Sequence, residues 1–165
     1  PTILSESGRA VVAHHSLLVF NVLGVSGFGD ETIPKAVTND MEQPLLDLIE
    51  SYQGLNARNA TESYHDAQQA LDMAMNLFSA GYLSLEQRSL AESLYWALCL
   101  RLQKLVKTMD EVPEDLQNLD ESLSDTYFCN FSLFQSIPDS WAIKQLFPIM
   151  PIHRLNERPT RHAVL

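Results

Sequence analysis

Ser5-Glu6-Ser7-Gly8-Arg9 puts a carboxylate, a glycine and a guanidinium within five residues, directly after the apolar pair Ile3-Leu4. A short apolar run of this kind reads as a buried strand. Gly8 lets the backbone turn tightly or come close to a ligand. Arg9 offers a planar fork of donors suited to a phosphate. Glu6 can face a cationic part of the same ligand, such as a protonated ring nitrogen. Pyridoxal phosphate carries both groups. The plain alternative for so short a motif is a surface turn with an incidental ion pair.

Other candidate groups are weaker. His14 and His15 are neighbours in a strand-like run, so they point to opposite faces and do not chelate one metal together. Asp110, Glu111, Glu114 and Asp115 are close in sequence, but acidic residues at a helix N-terminus are explained by the helix dipole. They give no reason to expect a metal. Cys99 and Cys129 are the only cysteines and lack metal-like spacing, so both are expected as buried free thiols of a reducing cytoplasm. Lys35 is the lysine closest to the Glu6 motif and falls in an expected loop.

The elements around these residues follow from hydrophobic period. Ala10 to about Leu23 is β-branched and leucine-rich, which predicts one strand or two joined by a bend at the histidines. Gly24, Gly27, Gly29 and Pro34 predict a loop from Gly24 to Val37. From there the period becomes helical. The first helix is capped by Asn39 or Asp40, carries Leu45, Leu46, Leu48, Ile49 and Tyr52, and stops at Gly54. The second runs from Thr61 to Ala80 with Gly81 as its stop, its stripe being Tyr64, Ala67, Leu71, Ala74 or Met75, and Phe78. The third opens on a Ser84/Gln87 capping box and repeats leucine at 90, 94, 98, 102 and 105, with Cys99 beside the stripe. A fourth starts at Pro113 and presents Leu116, Leu119 and Leu123. Tyr127 to Phe134 alternates as a strand does. A short helix from Pro138 to Leu146, an extended stretch from Phe147 to Ile152 and a strand starting at Ala163 complete the chain. The fold class expected is α+β: a four-helix bundle-like insertion flanked by β strands, with divisions at 1–37, 38–124 and 125–165.

The Ser-Glu-Ser-Gly-Arg-Ala run with Ala13-His14-His15-Ser16 resembles the biosynthetic arginine decarboxylases, pyridoxal-phosphate enzymes of the alanine-racemase-like fold. In that wider group the motif reads Glu-Pro-Gly-Arg, and Ser7 is the form of this branch. The second block, Asp125-Thr126-Tyr127-Phe128-Cys129-Asn130-Phe131 through Pro138-Asp139-Ser140-Trp141 to Gln145-Leu146-Phe147-Pro148, carries the same resemblance. It implies that L-arginine is converted to agmatine and carbon dioxide for putrescine and spermidine synthesis, with pyridoxal phosphate as cofactor and magnesium associated. It assigns Glu6 to the ring nitrogen as the catalytic carboxylate, and Gly8 and Arg9, with Glu6, to cofactor binding. It further implies a homo-oligomeric cytoplasmic enzyme of which this chain is an internal segment without the full catalytic set. The cofactor-binding lysine and most of a (β/α)8 barrel would precede Pro1, and a Cys-Asp motif would follow Leu165. The bundle would be an insertion between the barrel and a β domain. The alternative from another function class is a non-catalytic helical protein-interaction module.

Charge and hydropathy narrow the partners. The chain of 165 residues carries a net charge of -10, concentrated between Asp30 and Asp125, where 18 acidic residues face 6 basic ones. That excludes the basic footprint nucleic acid requires. No run reaches the ~20 apolar residues of a membrane span.

Overall fold

A computed structural model describes residues 2–4, 8, 16–29 and 41–164 of the chain. Its elements are β1 (Val22–Ser26), α1 (Gln43–Gly54), α2 (Ala60–Ser79), α3 (Leu85–Val106), a 3-10 turn at Glu114–Leu116, α4 (Leu119–Ser122), β2 (Asp125–Cys129), α5 (Leu133–Ser136), α6 (Asp139–Ala142) and β3 (Ala163–Val164). The three strands form one sheet in the order β1-β2-β3. β2 and β3 run parallel, with Asp125 opposite Ala163 and Thr126 opposite Val164. The architecture is α+β, as the hydrophobic period predicts. Two compact units are distinguishable, one made of Ser26–Thr126 with Thr160–Val164, the other containing Tyr127–Pro159 and the residues up to Val25.

The first unit holds the core. α1, α2 and α3 each pack on the other two. α3 is central: Ala91, Leu94, Tyr95, Ala97, Leu98, Cys99 and Leu102 are all buried, so its apolar surface extends beyond one stripe. Such burial on more than one side marks an inner helix. α1 contributes Leu45, Leu48 and Ile49. α2 contributes Ala60, Ser63, Ala67, Ala70 and Ala74, so its innermost line is made of small residues, with Leu71 and Phe78 only half-buried. Small side chains there let the helix axes approach closely.

The helix ends follow local chemistry. The Gln87 backbone N–H donates to Ser84 Oγ (3.3 Å), and the Ser84 N–H donates to Gln87 Oε1 (2.8 Å), completing the capping box. α2 ends on Gly81 at φ +82°, with Tyr82 N–H donating to Leu77 O (2.9 Å) and Gly81 N–H to Phe78 O (3.0 Å). That paired geometry needs a left-handed residue, and glycine supplies it without steric cost. Arg101 of α3 donates to the Tyr52 carbonyl (2.7 Å), satisfying an end of α1, and stacks over the Tyr52 ring at 5.0 Å.

Several expectations change. The fourth helical arm is not one continuous helix but the 3-10 turn followed by α4. Leu116, Leu119 and Leu123 are nevertheless buried, so the apolar spacing is realised by two short turns. Gly24 lies inside β1 rather than opening a loop, and only ordinary contact with Phe128 would meet a Cβ there. The strand after Asp125 stops at Cys129. Leu133 and Phe134 belong to α5, whose last residues donate back to Ser132 and Leu133 carbonyls. The helix expected to reach Leu146 ends at Ala142, where Ile143 departs from helical geometry and Lys144 takes φ +55°. Cys129 is half-buried rather than buried. The Asn39/Asp40 cap, Lys35, and Ala10 to His15 lie outside the described residues; Ser16–Asn21 has no regular structure.

Candidate functional site

Of the three residues expected to hold a cofactor, Gly8 alone is among the described residues. It is exposed, and a Cβ on it would meet nothing within 4 Å. Glu6 and Arg9 lie outside the described residues, as do His14 and His15. Ile3 and Leu4, expected to be buried, are 89% and 94% exposed.

The second block is better defined. At the end of β2, Asn130 and Asn21 are joined twice: Asn21 N–H donates to Asn130 Oδ1 (2.7 Å), and Asn130 N–H donates to Asn21 O (3.2 Å). Phe20 and Phe131 pack beside this junction with ring centroids 4.7 Å apart. Phe134 and Trp141 meet edge to face at 5.8 Å. Arg154, at φ +57°, grips Glu157 through two guanidinium nitrogens. That grip lowers the Glu157 carboxyl and raises the Arg154 guanidinium from their ordinary values.

At the start of β2 sits a polar contact the sequence pattern does not advertise. Asp125 is 6% exposed and pairs with Arg161 Nη2 at 2.6 Å, while its N–H donates to the His162 carbonyl. Gly27 lies so close that a Cβ on it would fall 2.5 Å from Asp125 Oδ1. In sequence these are a block's first residue, a member of a basic tail and one of several glycines. Only the wide separation of Gly27, Asp125 and Arg161 in the chain conceals the site.

In the bundle, burial pushes the Cys99 thiol up to about 12, partly offset by a hydrogen bond with Tyr95. Burial likewise raises the Tyr95 phenol far above the usual range, with Cys99 and Tyr64 adding to the effect. Both groups stay neutral at physiological pH, which suits a core and not a nucleophile. Asp115 of the acidic run accepts from or pairs with His65 at 3.2 Å. Among the described residues, no three His, Cys, Asp or Glu side chains converge to hold a metal ion. Nor is any described helix long and apolar enough to cross a membrane.

A family model, the arginine decarboxylase helical bundle domain, matches residues 38–120, and the chain belongs to that family. The relatives are more particular. It is 51% identical over 195 aligned positions to the biosynthetic arginine decarboxylase of Rhodopirellula baltica, covering 100% of this chain and 29% of that protein. It is 47% identical to the biosynthetic arginine decarboxylase of Thermosynechococcus vestitus, again over 100% of this chain and 26% of that one. The crystal structure of the biosynthetic arginine decarboxylase from Campylobacter jejuni superposes with a TM-score of 0.66 at 31% identity, covering 87% of this chain and 22% of that one. The chain thus spans little more than a quarter of the curated relatives it matches.

Proposed function

We propose that this chain is a segment of a biosynthetic arginine decarboxylase, converting L-arginine to agmatine and carbon dioxide within polyamine synthesis. The carrying observation is that similarity covers the whole chain, both end blocks included, at 51% and 47% identity. An unrelated helical interaction module would account for the bundle alone. The division proposed is 1–37 for the end of the cofactor-binding barrel and the first strand or strands of a β domain, 38–124 for the helical bundle insertion and 125–165 for the return into that β domain.

The residue types of the motif suit pyridoxal phosphate: a carboxylate for the ring nitrogen, and a glycine backbone with a guanidinium for the phosphate. When bound, that cofactor supplies a ring able to draw away the negative charge left on the α-carbon. Glu6 would accept a hydrogen bond from the ring nitrogen and hold a proton on it. Arg9 would donate to the phosphate with its guanidinium fork, beside the Gly8 backbone. The proposal includes a cytoplasmic homo-oligomer whose remaining catalytic groups lie outside this chain. Magnesium is assigned to no residue here.

Two measurements test this reading. In the full-length enzyme Glu6→Gln should lower kcat by about 10²-fold at saturating cofactor, the scale of one lost preorganised electrostatic contact. Arg9→Ala should chiefly weaken cofactor retention and be partly rescued by excess cofactor. Parental turnover in the Glu6→Gln enzyme would refute the role. The 165-residue chain alone should release no agmatine above a protein-free blank, because one anchoring motif cannot supply covalent attachment.

A further inference from the structure

Residues 27–29 carry a single side chain, the ring of Phe28, set between two glycines. Phe28 packs on Trp96 of α3, with ring centroids 4.1 Å apart and planes tilted by 37°. Trp96 in turn meets Tyr95, a buried residue of the core, edge to face at 5.0 Å. Phe28 and Trp96 are both half-buried against that core. Gly29 follows at φ +74°, a conformation glycine adopts without steric cost, so the chain can turn directly after the ring.

The same short segment also touches the strands. Gly27, itself exposed, lies against the Asp125 carboxylate: its would-be Cβ is 2.5 Å from Oδ1 and 3.5 Å from Arg161 Nη2. Asp125 holds the last strand twice. Its carboxylate pairs with Arg161, and its N–H donates to the His162 carbonyl at 3.0 Å. β3 has little else to fix it, being two exposed residues that pair with β2 at two positions. A strand this short is marginal on its ladder bonds alone. A carboxylate kept from water also holds an arginine more firmly than an exposed one, whose attraction solvent and salt screen. Gly27, Phe28, Trp96, Asp125, Arg161 and His162 all belong to the unit that contains the bundle.

Contacts made by adjacent residues do not move independently, because a planar peptide joins them. We propose that Gly27-Phe28 is a strap that couples α3 to β3. The Phe28 ring on Trp96 keeps Gly27 against Asp125, and Gly27 keeps the carboxylate dry enough to hold Arg161. Release at either end loosens the other. The two arrangements that such coupling requires are the docked and the undocked ring. A ligand or neighbour that displaced Phe28 from Trp96 would thereby free β3 without touching it. This coupling stands whether or not the cofactor role of Glu6 holds.

The test uses the 165-residue chain and reads each end while the other is altered. Phe28→Ala should speed hydrogen exchange of the Asp125 amide at least about tenfold, with α3 amides from Leu94 to Leu102 within about twofold of the parent. Tyr82→Ala, which removes an exposed aromatic ring elsewhere in the same unit, should change neither. In the opposite direction, Trp141→Phe leaves Trp96 as the one tryptophan. In that background Arg161→Gln should shift Trp96 emission to the red, as Phe28 loosens and water approaches the indole. Phe28→Ala/Arg161→Gln should exchange at the Asp125 amide little faster than the faster single variant, because both open the same strap. An unchanged Asp125 amide in Phe28→Ala, Trp96 emission that ignores Arg161→Gln, or fully additive effects would overturn the proposal. Uniformly faster exchange throughout α3 would do so too, because Phe28 would then stabilise the bundle at large. If Phe28→Ala fails to fold, Phe28→Leu removes the ring more gently, and the Trp96 emission of Arg161→Gln still decides.

Discussion

Asp125 shows how a single atom's position constrains a distant residue. Its Oδ1 is held by Arg161 and lies 2.5 Å from where a Cβ on Gly27 would go. Gly27→Ala should therefore displace the carboxylate and destabilise the chain by about 1–3 kcal/mol, read by urea unfolding. In an Asp125→Ala background the same substitution should cost little, since the obstructing oxygen is gone. Equal penalties in both backgrounds would contradict the contact. Cys99 gives a prediction of another kind. Its thiol is pushed up to about 12 from a reference of 9.0, so the neutral form is favoured on folding. The associated stability is fully present below about pH 9 and is lost as pH rises from 9 through 12, at up to about 1.4 kcal/mol per pH unit. Alkaline unfolding of Cys99→Ala should show a shallower pH slope than the parent. Under native conditions a thiol reagent should modify half-buried Cys129 before Cys99. The core role of Cys99 was legible from its place beside a leucine stripe; the half-exposure of Cys129 was not, because strand alternation says nothing about what covers a sheet's face.

At the scale of elements, legibility tracked how local the determining interactions are. The capping box of α3 involves residues three apart, and the Gly81 stop of α2 closes within five, so both were readable from Ser84, Gln87 and Gly81. The fourth arm was readable in its leucines and not in its continuity. Short turns around Pro113 and Asn118 bury the same side chains a longer helix would. α5 was missed because Leu133 and Phe134 extend an alternation that the backbone abandons after Cys129, and its four residues carry no helical period of their own. At the cofactor motif, residue type was legible while geometry was not, since Glu6 and Arg9 lie outside the described residues. Two stability predictions belong here. Leu98 is fully buried in α3, and Leu98→Ala should cost about 2–5 kcal/mol in denaturant unfolding. Ser84→Ala should cost about 1 kcal/mol, visible as faster hydrogen exchange in the first turn of α3.

Across the whole molecule, burial is unequal. The bundle buries Leu45, Leu48, Leu94, Leu98 and Leu102 completely, while Leu4, Leu17, Phe134 and Leu146 are 94%, 88%, 81% and 92% exposed. Three mutually packed helices are stabilised by nearby contacts, whereas short strands need more sheet than β1, β2 and β3 provide. Native hydrogen exchange should therefore be slowest in α3 and faster in β1 and β2. Comparable protection in the strands would contradict this ordering.

The proximity of Gly27 to Asp125 also bears on ancestry. The polypeptide departs from the strands after Ser26 and rejoins them at Asp125, with departure and return lying side by side. A chain whose exit and re-entry points touch can gain or lose everything between them without moving what lies outside. The entropy of closing a loop grows only slowly with its length, about 0.6 kcal/mol per doubling, so the thermodynamic barrier to such an acquisition is low. A helical cassette gained at such a junction would be free to drift in sequence without disturbing the strands on either side, provided that a glycine keeps the doorway narrow.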